Sequence, residues 1–149
     1  MLRKLDIKNV QELIKDDPVR PHITAEYRTH NGREVYALYE DQYATEAPVL
    51  FEGPRAVICV AYTDEVPMNE NDLDNVGTQI AVFYTVWSYD KGAGRDIVFA
   101  VAEHIKSEYP DVQRYVTLSP LTDMAKNFHL KNGAKFVAKH LDCQNFEYF

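Results

Sequence analysis

The sequence of 149 residues contains little cysteine and no long apolar run. Its two cysteines, Cys59 and Cys143, form no CxxC pair, so neither a disulfide framework nor a zinc site is predicted. No stretch is apolar over the roughly 20 residues that a membrane-spanning helix requires. We also expect no secretory signal segment. We therefore expect a cytoplasmic protein with no membrane partner.

Positive charge is also scarce. There are 16 lysines and arginines against 23 aspartates and glutamates, which gives a formal net charge of −7. A general nucleic-acid binder needs a basic face, so we expect no nucleic-acid partner. Backbone amides can hold a phosphate without net positive charge, so a phosphate-bearing ligand is not excluded.

The chain does have enough apolar sequence for a folded core. Hydrophobic residues make up 46% of it and aromatic residues 12%. No repeat, low-complexity tract or linker interrupts the sequence, so we expect residues 1–149 to form a single domain.

Apolar periodicity predicts mostly antiparallel elements in the first half of the chain. The pattern over residues 7–15 indicates a helix closed by Pro18 and Pro21. Residues 22–28 alternate with period two, and His30-Asn31-Gly32 is typical of a hairpin turn. Residues 35–40 are predicted to form a returning strand, and residues 56–63 a buried strand. The segment 41–53 is ambiguous, because Val49-Leu50-Phe51 is either a short strand or a packed loop. Residues 64–75 predict an acidic loop with room for one helical turn.

The second half predicts alternating strands and helices. Residues 78–89 are apolar on both faces, which favours a central position in the sheet. After a glycine turn, the sequence predicts a helix ended by Tyr109-Pro110 and then a parallel strand over 114–118. The next helix is capped by Thr122 or Asp123 and ended by Asn132-Gly133. One or two closing strands follow between Phe136 and Phe146. Antiparallel strands followed by β-α-β-α-β indicate an α+β, or mixed α/β, fold.

The glycine turn is the first candidate binding element. Gly92 and Gly94 separate the central strand from its helix, and Lys91 and Arg95 flank them. A helix whose first N–H groups are unmasked by glycine can hold an anion such as a pyrophosphate. His22, His30 and His140 have no recognised metal spacing, so no metal site is predicted.

This order of elements, with these residues, resembles the GNAT acyltransferase superfamily. That family has a central strand, a turn of the form Gln/Arg-x-x-Gly-x-Gly/Ala and a helix over the coenzyme A pyrophosphate. Gly92 and Gly94 match the two glycines, whereas Tyr89 stands where glutamine or arginine is expected. The resemblance implies a mixed sheet of about six or seven strands flanked by helices in three layers.

A narrower resemblance is to the catalytic domain of malonyl-CoA decarboxylases. The strings AVFYTVWS, TLSP and NFHLKNGA are similar to that family's AxFYSIxS, SLSPIPG and NFHLxNGA motifs. In GNAT acetyltransferases, a tyrosine usually stands where this chain has His129. The chain also departs from the decarboxylases, because SLSPIPG becomes TLSPLTD and their long helical segment between the two motifs is missing.

The resemblance implies a set of functional residues. Ser119 and His129 would carry the chemistry, with His129 near its ordinary pKa orienting the departing carboxylate or delivering a proton. Trp87 or Tyr89 would line an acyl pocket. Coenzyme A would be bound by the backbone and side chains of Phe83, Tyr84, Thr85, Val86, Lys91, Gly92, Ala93, Gly94, Arg95 and Asn127.

Three functions remain open from the sequence. The first is decarboxylation of malonyl-CoA or a related malonyl thioester, without a metal. The second is transfer of acetyl from acetyl-CoA to an amine, with a carboxylate of the loop before Thr78 as base. The third is a catalytically silent module that binds coenzyme A or a protein. The expected partner is a small-molecule acyl-CoA, with a homodimer as a further option.

Overall fold

The computed structural model describes residues 1–40 and 53–149. Its helices are α1 (Ile7–Leu13), α2 (Ala25–Thr29), α3 (Ala93–Glu108) and α4 (Asp123–Lys131). Its strands are β1 (Leu2–Lys4), β2 (Glu34–Leu38), β3 (Ala56–Thr63), β4 (Ile80–Ser88), β5 (Arg114–Thr117), β6 (Ser119–Pro120), β7 (Lys135–Lys139) and β8 (Cys143–Tyr148). None of the helices in these two ranges has the length and apolarity that crossing a bilayer demands.

The strands form one mixed sheet in the order β1-β2-β3-β4-β5-β8-β6, with β7 paired to the other side of β8. Every pairing is antiparallel except β4 with β5, which is parallel from Ile80↔Arg114 to Phe83↔Thr117. β4 therefore lies in the middle of the sheet. This confirms the central position predicted for residues 78–89.

Side chains alternate between the two faces of the sheet and pack into two separate hydrophobic cores. On one face, residues such as Ile58 and Phe83 pack against Ile97, Val101 and Ile105 of α3. The opposite face packs against α1 and α2 through a second buried cluster, which includes Val10, Ile23, Ala25, Val57, Cys59, Val82 and Leu118. The result is three layers, helix–sheet–helix, which confirms the predicted mixed α+β class. Below, the two faces are called the α3 face and the α1–α2 face.

The prediction of a strand over residues 22–28 is wrong. Thr24 Oγ1 accepts a hydrogen bond of 3.1 Å from Tyr27 N and caps the short helix α2. Burial of Ile23 and Ala25 is consistent both with a strand of period two and with a capping residue followed by a helix. The hydrogen bond of the cap selects the helix. Asn31 and Gly32 do adopt positive φ, at 54° and 81°, but their turn leads from α2 into β2 and makes no hairpin.

The other sequence predictions fare better. The strand predicted over residues 56–63 coincides with β3, and the acidic loop contains a short 3-10 helix, Glu70–Asp74. Thr122 caps α4, and Gly133 follows its end with φ of 94°. Within residues 1–40 and 53–149 the sheet has eight strands, against about six or seven expected, because β1 and the two-residue β6 carry too few residues to show a pattern. The segment Val49-Leu50-Phe51 lies outside the described residues.

A buried ion pair fastens the α1–α2 connection to β4. Arg28 Nη1 donates to Asp17 Oδ2 at 2.8 Å, and both side chains are fully buried. Arg28 also donates to the carbonyls of Arg20 and Ile23, while Asp17 Oδ1 accepts from Arg20 N and from Thr85 Oγ1. Burial alone would raise the pKa of the Asp17 carboxyl, but these backbone and arginine donors hold it below its ordinary value. The pair is thus charged and almost completely hydrogen-bonded.

Arg28→Met should lower the free energy of unfolding by about 3–5 kcal/mol, because the Asp17 carboxylate would remain buried without its cation. Arg114→Met removes the partner of Glu147 in a half-exposed ion pair and should cost less than about 1 kcal/mol. Denaturant unfolding followed by the fluorescence of Trp87, the single tryptophan, measures both. Equal losses in the two variants would contradict the role given to the buried pair.

Candidate functional site

The candidate site lies where β4 and β5 stop pairing. The last hydrogen bond between them runs from Leu118 N to Phe83 O, at 3.1 Å. At the same level the register between β3 and β4 shifts, so that Tyr84 is an extra residue in β4. β4 continues to Ser88 without a β5 partner, which leaves an opening between the strands. Ligands of open α/β sheets bind at such carboxyl ends of strands.

The N-terminus of α3 stands beside this opening. Gly92 adopts φ of 82°, which turns the chain sharply into the 16-residue helix. The N–H groups of Gly94 and Arg95 have no acceptor among the described residues. A Cβ on Gly94 would come within 3.3 Å of the Phe128 ring, so glycine is what lets α3 approach α4 so closely. These features fit the anion cradle that the sequence predicts.

Ion pairing leaves a small positive excess at this cradle. Arg55 binds Asp90 at 3.0 Å and Asp96 at 3.4 Å. Lys91 and Arg95 are exposed and have no carboxylate within 4 Å in residues 1–40 and 53–149. Three cations thus meet two aspartates, and the surplus charge suits a phosphate.

Tyr89 and Trp87 face away from this cradle. Tyr89 Oη donates to Asp16 Oδ2 at 2.7 Å and accepts from Trp87 Nε1 at 2.9 Å. Trp87 belongs to the core on the α1–α2 face. Tyr89 therefore makes no contact with the cradle, and both rings lie on the α1–α2 face of the sheet.

His129 is held in an aromatic setting on the α3 face. Its Nδ1 lies 2.7 Å from Tyr148 Oη, and its ring stacks on Phe146 with centroids 5.4 Å apart. The residue is 7% exposed. Burial lowers its pKa to about 4, so the imidazole is neutral at pH 7. The expectation that His129 stays near its ordinary pKa is therefore wrong.

Two residues, Thr117 and Phe146, link Ser119 to His129 through a series of contacts. Ser119 Oγ donates to Thr117 Oγ1 at 2.8 Å, and Thr117 Oγ1 accepts from Phe146 N at 3.0 Å. The Phe146 ring in turn stacks on His129. The two predicted catalytic residues share the α3 face but form no direct hydrogen bond within the described part of the chain.

The other predicted binding residues divide between the two faces. Phe83 lies in the core under α3, whereas Tyr84 belongs to the core of the opposite face. Thr85 uses its hydroxyl on Asp17, so only its backbone is available to a ligand. Val86 is half-buried, and Asn127 is exposed on α4.

The role of Arg20 is not visible in the sequence. Arg20 Nε donates to Tyr84 O at 2.9 Å and Nη2 to Leu118 O at 2.8 Å, so its guanidinium spans the opening on the α1–α2 face. Its Nη1 lies 3.2 Å from Glu70 Oε1, and Glu70 also binds His22. These contacts join residues 64 and 98 positions apart, which no local pattern can reveal.

Two cavities lie near described residues. The smaller, of about 270 Å³, adjoins Glu70 and includes His22, Tyr27 and Asp74 in its lining. The larger, of about 860 Å³, lies at the other end of the sheet and is lined in part by Glu34. Glu34, its buried carboxylate, already binds Tyr62, Tyr109 and Lys4, and the cavity lies away from the opening.

The sequence matches no protein-family model and no curated protein. Solved structures do match. A malonyl-CoA decarboxylase from Agrobacterium vitis has a TM-score of 0.66 at 23% identity, covering 86% of this chain and 35% of that chain. NAA60 of Arabidopsis thaliana in complex with acetyl-CoA has a TM-score of 0.65 at 14% identity, covering 100% and 97%. A GNAT-family protein from Desulfovibrio desulfuricans has a TM-score of 0.64 at 11% identity, covering 99% and 97%.

These likenesses show the fold, which is GNAT-like, as the resemblance in the sequence predicted. The chain spans about a third of the length of the decarboxylase, 35%, but almost the whole length of the other two proteins. At identities of 23% and below, these likenesses establish the architecture only. The activity has to be argued from the residues of the site.

The depressed pKa of His129 predicts a pH dependence of stability. Between pH 6.5 and 4 the unfolded chain binds a proton that the folded chain does not, so stability falls as the pH drops through this window. From pH 7.5 to 5 the protein should lose about 2 kcal/mol more than a His129→Gln variant does. Urea unfolding at the two pH values tests this, with His104→Gln as a control that keeps the full loss. An identical pH dependence with and without His129 would refute it.

Proposed function

We propose that this chain binds an acyl-CoA thioester and decarboxylates a malonyl thioester to the acetyl thioester and CO2. The observation that carries the proposal is the neutral, buried imidazole of His129, which Tyr148 fixes on the same sheet face as Ser119. Ser119 directly follows Leu118, whose N–H makes the last bond between β4 and β5. The GNAT-like fold, found also in a malonyl-CoA decarboxylase, supports the same conclusion.

Coenzyme A would be held mainly by backbone. Its pyrophosphate would lie at the N-terminus of α3, where Gly92, Ala93 and Gly94 keep side chains out of the way and Lys91 and Arg95 supply charge. The pantetheine arm would follow Phe83, Tyr84, Thr85 and Val86 into the opening, with Asn127 reaching it from α4. The fold neighbour bound to acetyl-CoA supports this class of ligand.

Loss of CO2 requires an acceptor for an electron pair. The bond between the malonyl methylene and its carboxylate breaks, and the pair moves into the thioester as an enolate. CO2 leaves, and the enolate carbon takes a proton from water. A donor aimed at the developing oxyanion is therefore the group that this reaction most needs.

His129 can be that donor because it is neutral. When Tyr148 Oη donates to Nδ1, the ring proton lies on Nε2, and Nε2–H can hydrogen-bond the enolate oxygen. Ser119 Oγ donates to Thr117 Oγ1, and rotation of the Ser119 hydroxyl would turn its proton toward the thioester instead. No acid with a pKa near 7 is needed for either role.

Incubation with malonyl-CoA, followed by mass spectrometry, should show conversion to acetyl-CoA. His129→Gln should reduce kcat by about 100-fold or more, the usual loss on removing an oxyanion donor. Ser119→Ala should reduce conversion less, since Thr117 remains. His104→Gln, a half-buried histidine of α3 that packs on Tyr36, is the matched control and should convert normally. Intact malonyl-CoA after incubation with the wild-type protein would refute the proposal.

A second candidate function is acetyl transfer to an amine. It is favoured by the small cavity beside Glu70, whose lining includes the carboxylates of Glu70 and Asp74, because such a surface attracts cations. Glu70 would take a proton from the amine as its nitrogen attacks the thioester carbon; the C–S bond then breaks, and coenzyme A leaves as a thiolate that takes a proton from water.

Acetyl-CoA supplied with a panel of polyamines and lysine peptides tests this second function. Acetylated amine should appear in the wild type and fall by about tenfold or more in Glu70→Gln, as expected on loss of a general base. Asp111→Asn, an exposed carboxylate at the other end of the sheet, is the control. Absence of any acetylated amine would remove this candidate.

A further inference from the structure

We propose that Arg20 recognises the acyl group of the thioester and that this group ends in a carboxylate. The inference rests on the proposed thioester function and names the substrate class of that same site. It makes Arg20 a specificity-determining residue, with no part in breaking the bond.

The guanidinium of Arg20 is bound to both strands that border the opening. Beyond the last bond between β4 and β5, the carbonyls of Tyr84 and Leu118 accept from the two nitrogens on one edge of Arg20. The cation therefore lies across the opening on the α1–α2 face. An acyl chain that enters between the strands from the α3 face would end against it.

Arg20 is also held rigidly. Asp17 Oδ1 accepts from its backbone N at 3.0 Å, and Arg28 Nη2 donates to its carbonyl at 2.6 Å. Arg20 is 9% exposed, unlike a typical surface arginine. Asp17 and Arg28 thus hold Arg20 at its backbone N–H and at its carbonyl. The cation of Arg20 is therefore preorganised for a ligand.

The charge of Arg20 is only partly compensated. The two carbonyls are neutral, and within the described ranges its one carboxylate partner is Glu70, a half-exposed residue that it shares with His22. Three of the five guanidinium N–H groups have acceptors in the same part of the chain. Glu70 thus shows that the outer edge of Arg20 accepts a carboxylate, and a substrate carboxylate can replace it there.

This arrangement separates malonyl from acetyl thioesters. A malonyl group presents a carboxylate to Arg20, whereas an acetyl group presents a methyl. The carboxylate loses its charge as CO2 forms, so Arg20 stabilises bound substrate more than the transition state. Loss of Arg20 should therefore raise KM with little decrease in kcat, whereas loss of His129 lowers kcat.

Calorimetric titration of malonyl-CoA and acetyl-CoA tests the inference. A His129→Gln parent keeps malonyl-CoA intact during the measurement. The parent should bind malonyl-CoA at least about tenfold more tightly than acetyl-CoA, and the added Arg20→Met should abolish this preference while acetyl-CoA binds as before. Arg114→Met, at the far end of β5, should leave both affinities unchanged.

Glu70→Gln gives a result in the opposite direction and does not depend on the folding of Arg20→Met. If Glu70 competes with the substrate for Arg20, its removal should tighten malonyl-CoA binding by about threefold or more and leave acetyl-CoA unaffected. Weaker or equal malonyl-CoA binding in Glu70→Gln would overturn the inference.

The outcomes also separate this inference from the proposed function. Equal affinities in the parent, or a preference that survives Arg20→Met, would refute the role of Arg20 while leaving thioester binding established. Failure of the parent to bind either thioester would refute the proposed function itself.

Discussion

The hydrogen bond from Leu118 N to Phe83 O is the last between β4 and β5, and much of the surrounding structure follows from where it lies. Beyond it, the carbonyls of Tyr84 and Leu118 have lost their strand partners, and buried carbonyls must find donors elsewhere. Arg20 supplies both donors from the α1–α2 connection. Arg20 is in turn held by the pair of Asp17 and Arg28, so the opening, the connection and the buried ion pair depend on one another.

How far the sequence predicts this fold depends on the range of the interactions involved. Thr122 and Gly133 act within one helical turn, and the ends of α4 follow from them. The long apolar run of β4 indicates a central strand for the same local reason. At residues 22–28 two local readings compete, and the cap formed by Thr24 with Tyr27 outweighs the period-two pattern.

The candidate site was less predictable because its decisive features act over long sequence distances. The glycine turn and the positions of Ser119 and His129 are visible in motifs. The low pKa of His129 is not, since it comes from burial among rings that α4 and β8 bring together. Arg20 carries no motif at all, and its partners lie 64 and 98 residues away.

The two faces of the opening bear on which chemistry the GNAT-like fold carries out here. Acyl transfer needs a second substrate to reach the thioester carbon from the α1–α2 face, where Arg20 lies across the gap with both strand carbonyls bound. Decarboxylation needs no second substrate, only a donor for the enolate oxygen and a proton from water. A buried cation on that face would obstruct an approaching amine, by position and by charge, yet would attract the carboxylate of a malonyl group. Under the proposed function, the same arginine that completes the hydrogen bonding of the sheet would thus suit the lyase better than the transferase.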